Sequence, residues 1–506
     1  MPDVEIRLLT PDDDMDAQLD LAQRAFGVYP LAQRESWSHL ASLRIGQGMF
    51  LGAFVAGQPV GAGLVHDMRQ WWHGRAAGCA GVGGVKVAPE LRGKGVGRRL
   101  MTSILELIAE RGYPLSALYP ATMPLYRSLG WELAGGRYQA TVPARSLRAL
   151  MPPDAASAAT SGAPAPDMRQ WWHGRAAGCV GVGGVKVAPE QRGKGVGRRL
   201  MTSVLELIAE RGYPLSALYP ATMPLYRSLG WELADGRYQA TVPARSLRSL
   251  MPPDAASAAT SGAPAPDVRR VGRDDAAAVT EVIGRCHQAA RDCGPLTWDL
   301  GPTARWLSQQ DMYAYLTDDG FAAYRWADHN ETLLVERVHG ASPETVRALW
   351  SVIASHATMA DTIRVLIPPA DPFWWLTHER DAALTERSMW MLRVVDAPAA
   401  IAARGFPAAV YVTVPLVISD HTRPGNSGRW ELTVADGSGI LIPNARGILP
   451  AAPPDLQLGA RGLAALYAGT PVATLRLAGL ASGGSPDMDA ALDTAFAATA
   501  YMIDDF

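Results

Sequence analysis

Hydrophobic periodicity changes several times along residues 79–143, and each change marks an element. CAGVGGVKVAP (79–89) is a β-branched run stopped by Pro89, which predicts a strand. GRRLMTSILELIAERG (97–112) sets Leu100, Ile104, Leu107 and Ile108 on one helical face and stops at Gly112. YPLSALYP (113–120) is a short apolar run, read as another strand, and MPLYRSLG (123–130) is a short helix with Pro at its start and Gly at its end. WELAGGRYQATVP (131–143) alternates around Gly135 and Gly136, as a hairpin would. Upstream, the pattern predicts a strand over 4–9, helices over about 12–26 and 31–44, and a hairpin over about 49–66 turning at Ala56, Gly57, Gln58 and Pro59.

Much of this pattern occurs twice. Residues 67–166 match 167–266 at an offset of 100, differing only at Ala80/Val180, Leu91/Gln191, Ile104/Val204, Gly135/Asp235 and Ala149/Ser249. Such a period is too long for a solenoid, and two copies do not make an array. Each copy ends in MPPDAASAATSGAPAPD, a linker composition. The expected layout is therefore a first domain over 1–150, a linker over 151–167, and a duplicated half-domain over 168–250. A second linker over 251–267, a second domain over 268–406 and a last domain over 407–506 complete it. The last begins β-rich (AAVYVTVPLVI) and closes with an Ala-rich helix near 488–499.

Bulk numbers narrow the classes. With 506 residues, 48% hydrophobic and 19% charged, the chain has material for several globular cores. A formal net charge of −2 gives no global case for nucleic acid or an anionic membrane. No apolar run approaches the length of a spanning helix, and the acidic N-terminus lacks a signal-peptide layout, so the cytoplasm is the expected location. Cys79, Cys179, Cys286 and Cys293 fit neither a disulfide scaffold nor a zinc site, and no metal is expected.

The chemistry concentrates between the strand and the helix, in Arg92-Gly93-Lys94-Gly95-Val96-Gly97-Arg98. A helix N-terminus offers unsatisfied N–H groups and a positive dipole end, and glycines let phosphate oxygens approach the backbone. The Gly-Lys-Ser/Thr ending of a Walker loop is missing, and no acidic residue stands where a dinucleotide fingerprint needs one. A solvated basic turn is the plain alternative.

Arg-x-x-Gly-x-Gly directly after VKVAP, with strands and helices in this order, resembles the acyl-CoA signature of the GNAT superfamily of N-acetyltransferases. LYRSLGW (125–131), the second domain of similar size and the terminal YMIDDF narrow the resemblance to the enhanced intracellular survival (Eis) family. That resemblance covers the whole chain apart from one repeat copy. It implies an α+β, α/β architecture of tandem GNAT-like domains, each a mixed sheet with flanking helices, followed by a sterol-carrier-protein-like domain. It also implies acetyl-CoA as cosubstrate, and a homo-hexamer.

Acetyl transfer to an amine needs an uncharged amine, a stabilised oxyanion and a proton for the leaving thiolate. The resemblance implies Tyr126 as general acid and the C-terminal carboxylate of Phe506 as general base. That base requires the last residues to thread into the first domain's cleft, where burial would raise a carboxylate pKa of ordinarily about 3.5. A frayed acidic tail is the alternative. Backbone groups of Val85 and Val87, with Lys86 between them, are the expected partners of the pantetheine arm, and the Val87 N–H is the candidate oxyanion donor. Ala121 and Thr122 are further expected cofactor contacts by resemblance, and Glu35 and Trp37 are candidates for the amine pocket. Trp71-Trp72-His73 and Trp171-Trp172-His173 read as packing or subunit contacts, and Phe373-Trp374-Trp375 as core. The second domain lacks Arg-x-x-Gly-x-Gly, so no second cofactor site is expected there.

One opening half (1–66) faces two closing halves. The expectation is a single site completed by the first copy, leaving the second an inserted half-domain with an unpaired strand edge. The rival uses Tyr226, Arg192, Gly195, Gly197 and Arg198 of the second copy, and exchange of a copy between subunits is a third arrangement. The expected function is N-acetylation of amines on a small molecule such as an aminoglycoside, or of lysine side chains, without nucleic acid. The different-class alternative is a non-catalytic scaffold binding acyl-CoA or lipid.

Overall fold

A computed structural model describes residues 4–27, 31–135, 168–191, 194–250, 266–328, 331–368, 370–377, 383–444 and 454–504, with backbone only at 31–36, 248–249 and 383–387. The chain divides into two compact units. Described residues up to 135 form the first and those from 168 onward the second.

The first unit runs β1 (Glu5–Leu8), α1 (Met15–Phe26), α2 (Leu31–Gly46), β2 (Phe50–Val55), β3 (Gln58–Trp72), β4 (Arg75–Val87), α3 (Val96–Glu110), β5 (Leu115–Leu118) and α4 (Met123–Arg127). Its five strands pair in chain order, antiparallel except for the parallel β4–β5 pair. The expected hairpin turns at Ala56 and Gly57, whose φ values of 49° and 79° suit a tight two-residue turn. The helical face of α3 buries Leu100, Met101, Ile104, Leu107 and Ile108 against Leu51, Val65, Ala80 and Val82. The opposite sheet face packs Phe50, Phe54, Ala62 and Leu64 with Ala41 and Ile45 of α2.

The second unit begins with the second repeat copy: β6 (Met168–Trp172), β7 (Arg175–Val182), α5 (Val196–Glu210), β8 (Leu215–Leu218), α6 (Met223–Arg227) and β9 (Glu232–Pro243). It continues with β10 (Arg269–Val271), α7 (Ala276–Ala290), β11 (Cys293–Trp298), α8 (Leu300–Leu307), β12 (Tyr313–Leu316), β13 (Gly320–Ala327), β14 (Thr332–Gly340), α9 (Pro343–Ala354), β15 (Thr362–Leu366), α10 (Phe373–Leu376) and β16 (Ala383–Val394). The strands among these segments form one sheet of 11, ordered β10-β12-β13-β14-β15-β9-β16-β8-β7-β6-β11. The last part comprises α11 (Ala397–Ala403), β17 (Val412–Ser419), β18 (Gly428–Ala435), β19 (Ser438–Pro443), β20 (Leu456–Gly459), α12 (Ala460–Tyr467), α13 (Val472–Leu477), β21 (Ala481–Ser482) and α14 (Pro486–Ala495), around a five-stranded sheet. Arg393 on β16 ties the two sheets together: its Nη2 donates to both carboxylate oxygens of Asp420 at 2.8 and 2.7 Å, with both side chains buried.

Two expectations change here. The second copy has no bare edge: β8 pairs with β16 and β6 with β11, so residues 168–250 share a sheet with elements of 268–406. The hairpin expected around Asp235 and Gly236 is instead one 12-residue strand, β9, crossing those positions opposite Trp390 and Met389. Pairing with β16 on one side and β15 on the other outweighs the local turn preference. In the first copy residues 131–135 are not strand, and 136–143 lie outside the described residues.

The same sequence therefore occupies two environments. Trp172 is fully buried, with its ring 5.0 Å from that of Tyr467 and 6.4 Å from that of Trp390, whereas Trp72 is 51% exposed. Trp171 Nε1 donates to Thr297 Oγ1 at 2.6 Å, while Trp71 is exposed. Phe373 is core, 4.7 Å from the Trp350 ring, but Trp375 is exposed.

Candidate active site

The cofactor-contact residues expected in the first copy converge because β4 outlasts its neighbour. Parallel pairing with β5 ends at Val82 and Leu118, yet β4 continues to Val87 with β3 beside it as far as Gly61. Ala88 N–H donates to Val60 O at 2.8 Å, so period-two alternation turns the Val87 N–H towards the opposite edge, beyond the end of β5. That edge is open for an extended ligand to pair with. A β-bulge at this place, opposite Ala62 and Leu64, accompanies the splay.

The loop after β4 fits a pyrophosphate. Gly93 and Gly95 both adopt left-handed backbone, φ 75° and 83°, which only glycine takes at little cost. Gly95 is the N-cap of α3 and supplies no side-chain acceptor, so the first helical N–H groups stay available to an anion. Arg92 Nε donates to Val87 O at 3.4 Å and Arg98 to Ser128 Oγ at 2.8 Å, holding both guanidinium groups beside the loop. Arg99 instead reaches Val4 O at 2.8 Å and is structural.

Tyr126 is buried on α4, edge-on to Trp131 with centroids 6.3 Å apart, in the same cluster as Val82 and Val85. Burial pushes its hydroxyl pKa above the ordinary value, so it keeps its proton at neutral pH. Ala121 and Thr122 lead into that helix, with Thr122 at its N-cap. Trp37, on α2, lies half-buried against the cluster that holds Ala41, Ile45 and Phe50; the side chain of Glu35 and the whole of Phe506 lie outside the described residues.

Sequence reasoning missed what Lys86 does. Its side chain is buried, and its ammonium lies 5.3 Å from the Phe50 ring centroid and 5.8 Å from that of Trp37. Desolvation lowers its pKa from 10.5 to about 8. The folded state thus releases this proton before the unfolded state does, so stability rises with pH between about 8 and 10.5, and the penalty is full below pH 8. Two and a half units correspond to roughly 3 kcal/mol, of which the ring contacts return about 1. Lys86→Met is therefore expected to stabilise the first unit by about 2 kcal/mol at pH 7 and to abolish the rise. Urea melts at pH 7 and pH 10 check this, and a destabilised variant at pH 7 contradicts it.

The second copy repeats the loop and the tyrosine but not the strand. Gly195 is left-handed, α5 matches α3, and Tyr226 lies edge-on to Trp231. However, β7 stops at Val182, residues 183–188 are not strand, and Lys186 is exposed. The cause is in the sequence: β3 residues 58–66, which hold the end of β4, precede the repeat and have no second copy. Arg192 and Gly193 lie outside the described residues.

The chain's last described residues, 501–504, dock within the second unit, and Phe506, expected to thread into the first domain's cleft, lies outside the described residues. Tyr501 N–H donates to Cys293 O (3.0 Å), Met502 N–H to Gly236 O (3.1 Å), and Tyr219 O–H to Asp504 O (2.7 Å). The Asp504 carboxylate accepts from Leu296 N–H and Trp298 Nε1–H, both at 2.9 Å, and pairs with Arg337. Among the described residues no cluster of His, Cys, Asp or Glu is arranged to hold a metal, and no helix is long and apolar enough to cross a membrane. All four cysteines are free and buried.

Comparison with known proteins bears on family and fold. A family profile described as an acetyltransferase (GNAT) domain matches residues 5–134 and 159–234, and a second of that description matches 295–394. A sterol carrier protein domain profile matches 397–503. N-acetyltransferase Eis of Mycobacterium tuberculosis is 29% identical over 278 residues, 52% of this chain and 65% of that protein; the chain thus spans just under two thirds of that relative's length. An uncharacterized N-acetyltransferase of Streptomyces avermitilis is 26% identical over 307 residues, 57% of this chain and 72% of that one. The crystal structure of a GCN5-related N-acetyltransferase from Kribbella flavida superposes with a TM-score of 0.61 at 34% identity, covering 100% of this chain and 99% of that one. Eis1 from Mycobacterium abscessus shares the fold, with a TM-score of 0.54 at 18% identity over 99% and 100% of the two chains.

Proposed function

This chain belongs to the GCN5-related N-acetyltransferase family, in its Eis type, and from that premise we propose that its first unit transfers acetyl from acetyl-CoA to a primary amine. The observation that carries the reading is the splayed end of β4 beside the left-handed glycine loop. When bound, acetyl-CoA supplies the acetyl group as a thioester. The α3 N-terminus with Arg92, Lys94 and Arg98 holds the pyrophosphate, and backbone groups of Val85 and Val87 align the pantetheine arm. The Val87 N–H is aimed where negative charge develops on the acyl oxygen. Tyr126 Oη–H gives its proton to the departing thiolate, and the raised pKa keeps that proton available.

The proton acceptor carried over from the resemblance is the Phe506 carboxylate, and the amine is that of an aminoglycoside or a lysine side chain. Thiol release from acetyl-CoA over a panel of aminoglycosides and lysine peptides tests the activity. Turnover with at least one amine is expected, and none with any would favour the acyl-CoA or lipid scaffold. In the same assay one residue added after Phe506 is expected to lower kcat by roughly 10²-fold or more; an unchanged kcat removes Phe506 from the mechanism.

A further inference from the structure

The second unit contains a cavity of about 520 Å³ that none of the expected cofactor contacts lines. It sits where the second domain's sheet opens in the same way as the first's. β14 pairs in parallel with β15 only as far as Val335 and Val365, then runs on to Gly340, as β4 outruns β5. The volume is that of a small-molecule site.

The lining has a marked charge. Arg237, Arg305, Arg325, Arg337 and Arg364 face it, against the carboxylates of Glu336 and Asp504. Both carboxylates are already engaged. Glu336 pairs with Arg325 at 2.5 Å and accepts from Trp306 Nε1 at 2.9 Å, while Asp504 is held by Arg337, Leu296 and Trp298. Arg364 also pairs, at 3.3 Å, with Asp328, which does not line the cavity; the lining itself still holds more guanidinium than carboxylate groups, in a recess where charge interactions are less screened than in bulk water. Arg305 is exposed and Arg364 is 43% exposed, which puts them towards the opening. Buried or half-buried Ile283, Leu296, Leu334, Val335, Leu366 and Ile503 supply apolar wall. The rings of Trp298 and Trp306 add flat aromatic surface, and the Arg337 guanidinium lies 5.3 Å from the Trp306 centroid.

We propose that this cavity binds a small molecule joining an oxyanion, carboxylate or phosphate, to an apolar or aromatic body. The oxyanion meets Arg305 and Arg364 near the opening, and the body lies along the apolar wall. A polycationic amine is excluded by the same excess of arginine. None of the expected cofactor contacts lines the site, and the proposal does not depend on acetyl transfer.

Calorimetric titration of the full chain with phenyl phosphate, 3-phenylpropionate, 3-phenylpropanol and phenethylamine tests this. At least one of the two anions is expected to bind one per chain, at least tenfold more tightly than the alcohol, with no binding of the amine; the tighter anion identifies the head group. R305E/R364E is expected to weaken that anion at least tenfold with its Tm little changed, since both side chains are exposed and the Arg364–Asp328 contact is a surface ion pair. R98E, in the cofactor loop, is expected to leave it unaltered. Equal affinity for anion and alcohol, full affinity in R305E/R364E, loss in R98E, or no anion binding would each overturn the proposal.

Discussion

Tyr126→Phe is expected to lower kcat for acetyl transfer by roughly 10²- to 10⁴-fold, and Tyr226→Phe to leave it unchanged. The two tyrosines have the same sequence neighbours, the same edge-on tryptophan and the same burial-raised pKa. They differ in the strand before them, since β4 reaches Val87 and β7 ends at Val182. Of the two copies the first has the longer strand end, so the proposed chemistry is assigned to Tyr126. Phenylalanine keeps the ring packing and removes only the proton donor, so the variant should fold as wild type. Because Tyr126 holds its proton beyond the ordinary tyrosine value near 10, its titration should produce no fall in rate below pH 10. Steady-state rates for both variants decide the point. A large loss in Tyr226→Phe would move the chemistry to the second copy.

The second large effect concerns stability. Trp172→Ala is expected to cost about 3–5 kcal/mol and Trp72→Ala less than about 0.5 kcal/mol, although the two tryptophans lie in identical stretches. Trp172 is fully buried among Tyr467, Trp390 and the Arg404 guanidinium, which lies 5.3 Å from its ring, and its carbonyl accepts from Gly405 N–H. Removing it opens a cavity at the junction of the 11-stranded sheet and the last domain. Trp72 ends a hairpin in solvent. Denaturant melts of the second unit's transition check this, and equal effects of the two substitutions would contradict the account.

These contrasts show what the sequence could and could not disclose. Local elements were legible because each depends on its own residues. The face of α3 at Leu100, Ile104, Leu107 and Ile108, the turn at Ala56 and Gly57, and the loop at 92–98 all follow from short-range pattern. Allocation of the copies was not legible, since five scattered differences carry no information on which partner strands each copy meets. β9 was misread as a hairpin because Asp235 and Gly236 favour a turn locally, while β15 and β16, more than a hundred residues later, impose a strand. Lys86 is read from sequence only as the residue between Val85 and Val87; its burial depends on Phe50 and Trp37, which no spacing rule links to it. The arginines of the cavity, spread from 237 to 364, form no motif at all.

The central claim is that one cofactor site exists per chain and that the first copy builds it. Equilibrium titration with acetyl-CoA tests it most directly, in the wild type, in K94E/R98E and in K194E/R198E. The account predicts one acetyl-CoA per chain, lost in K94E/R98E and retained in K194E/R198E. Two per chain in the wild type, or loss of binding in K194E/R198E instead, would contradict it.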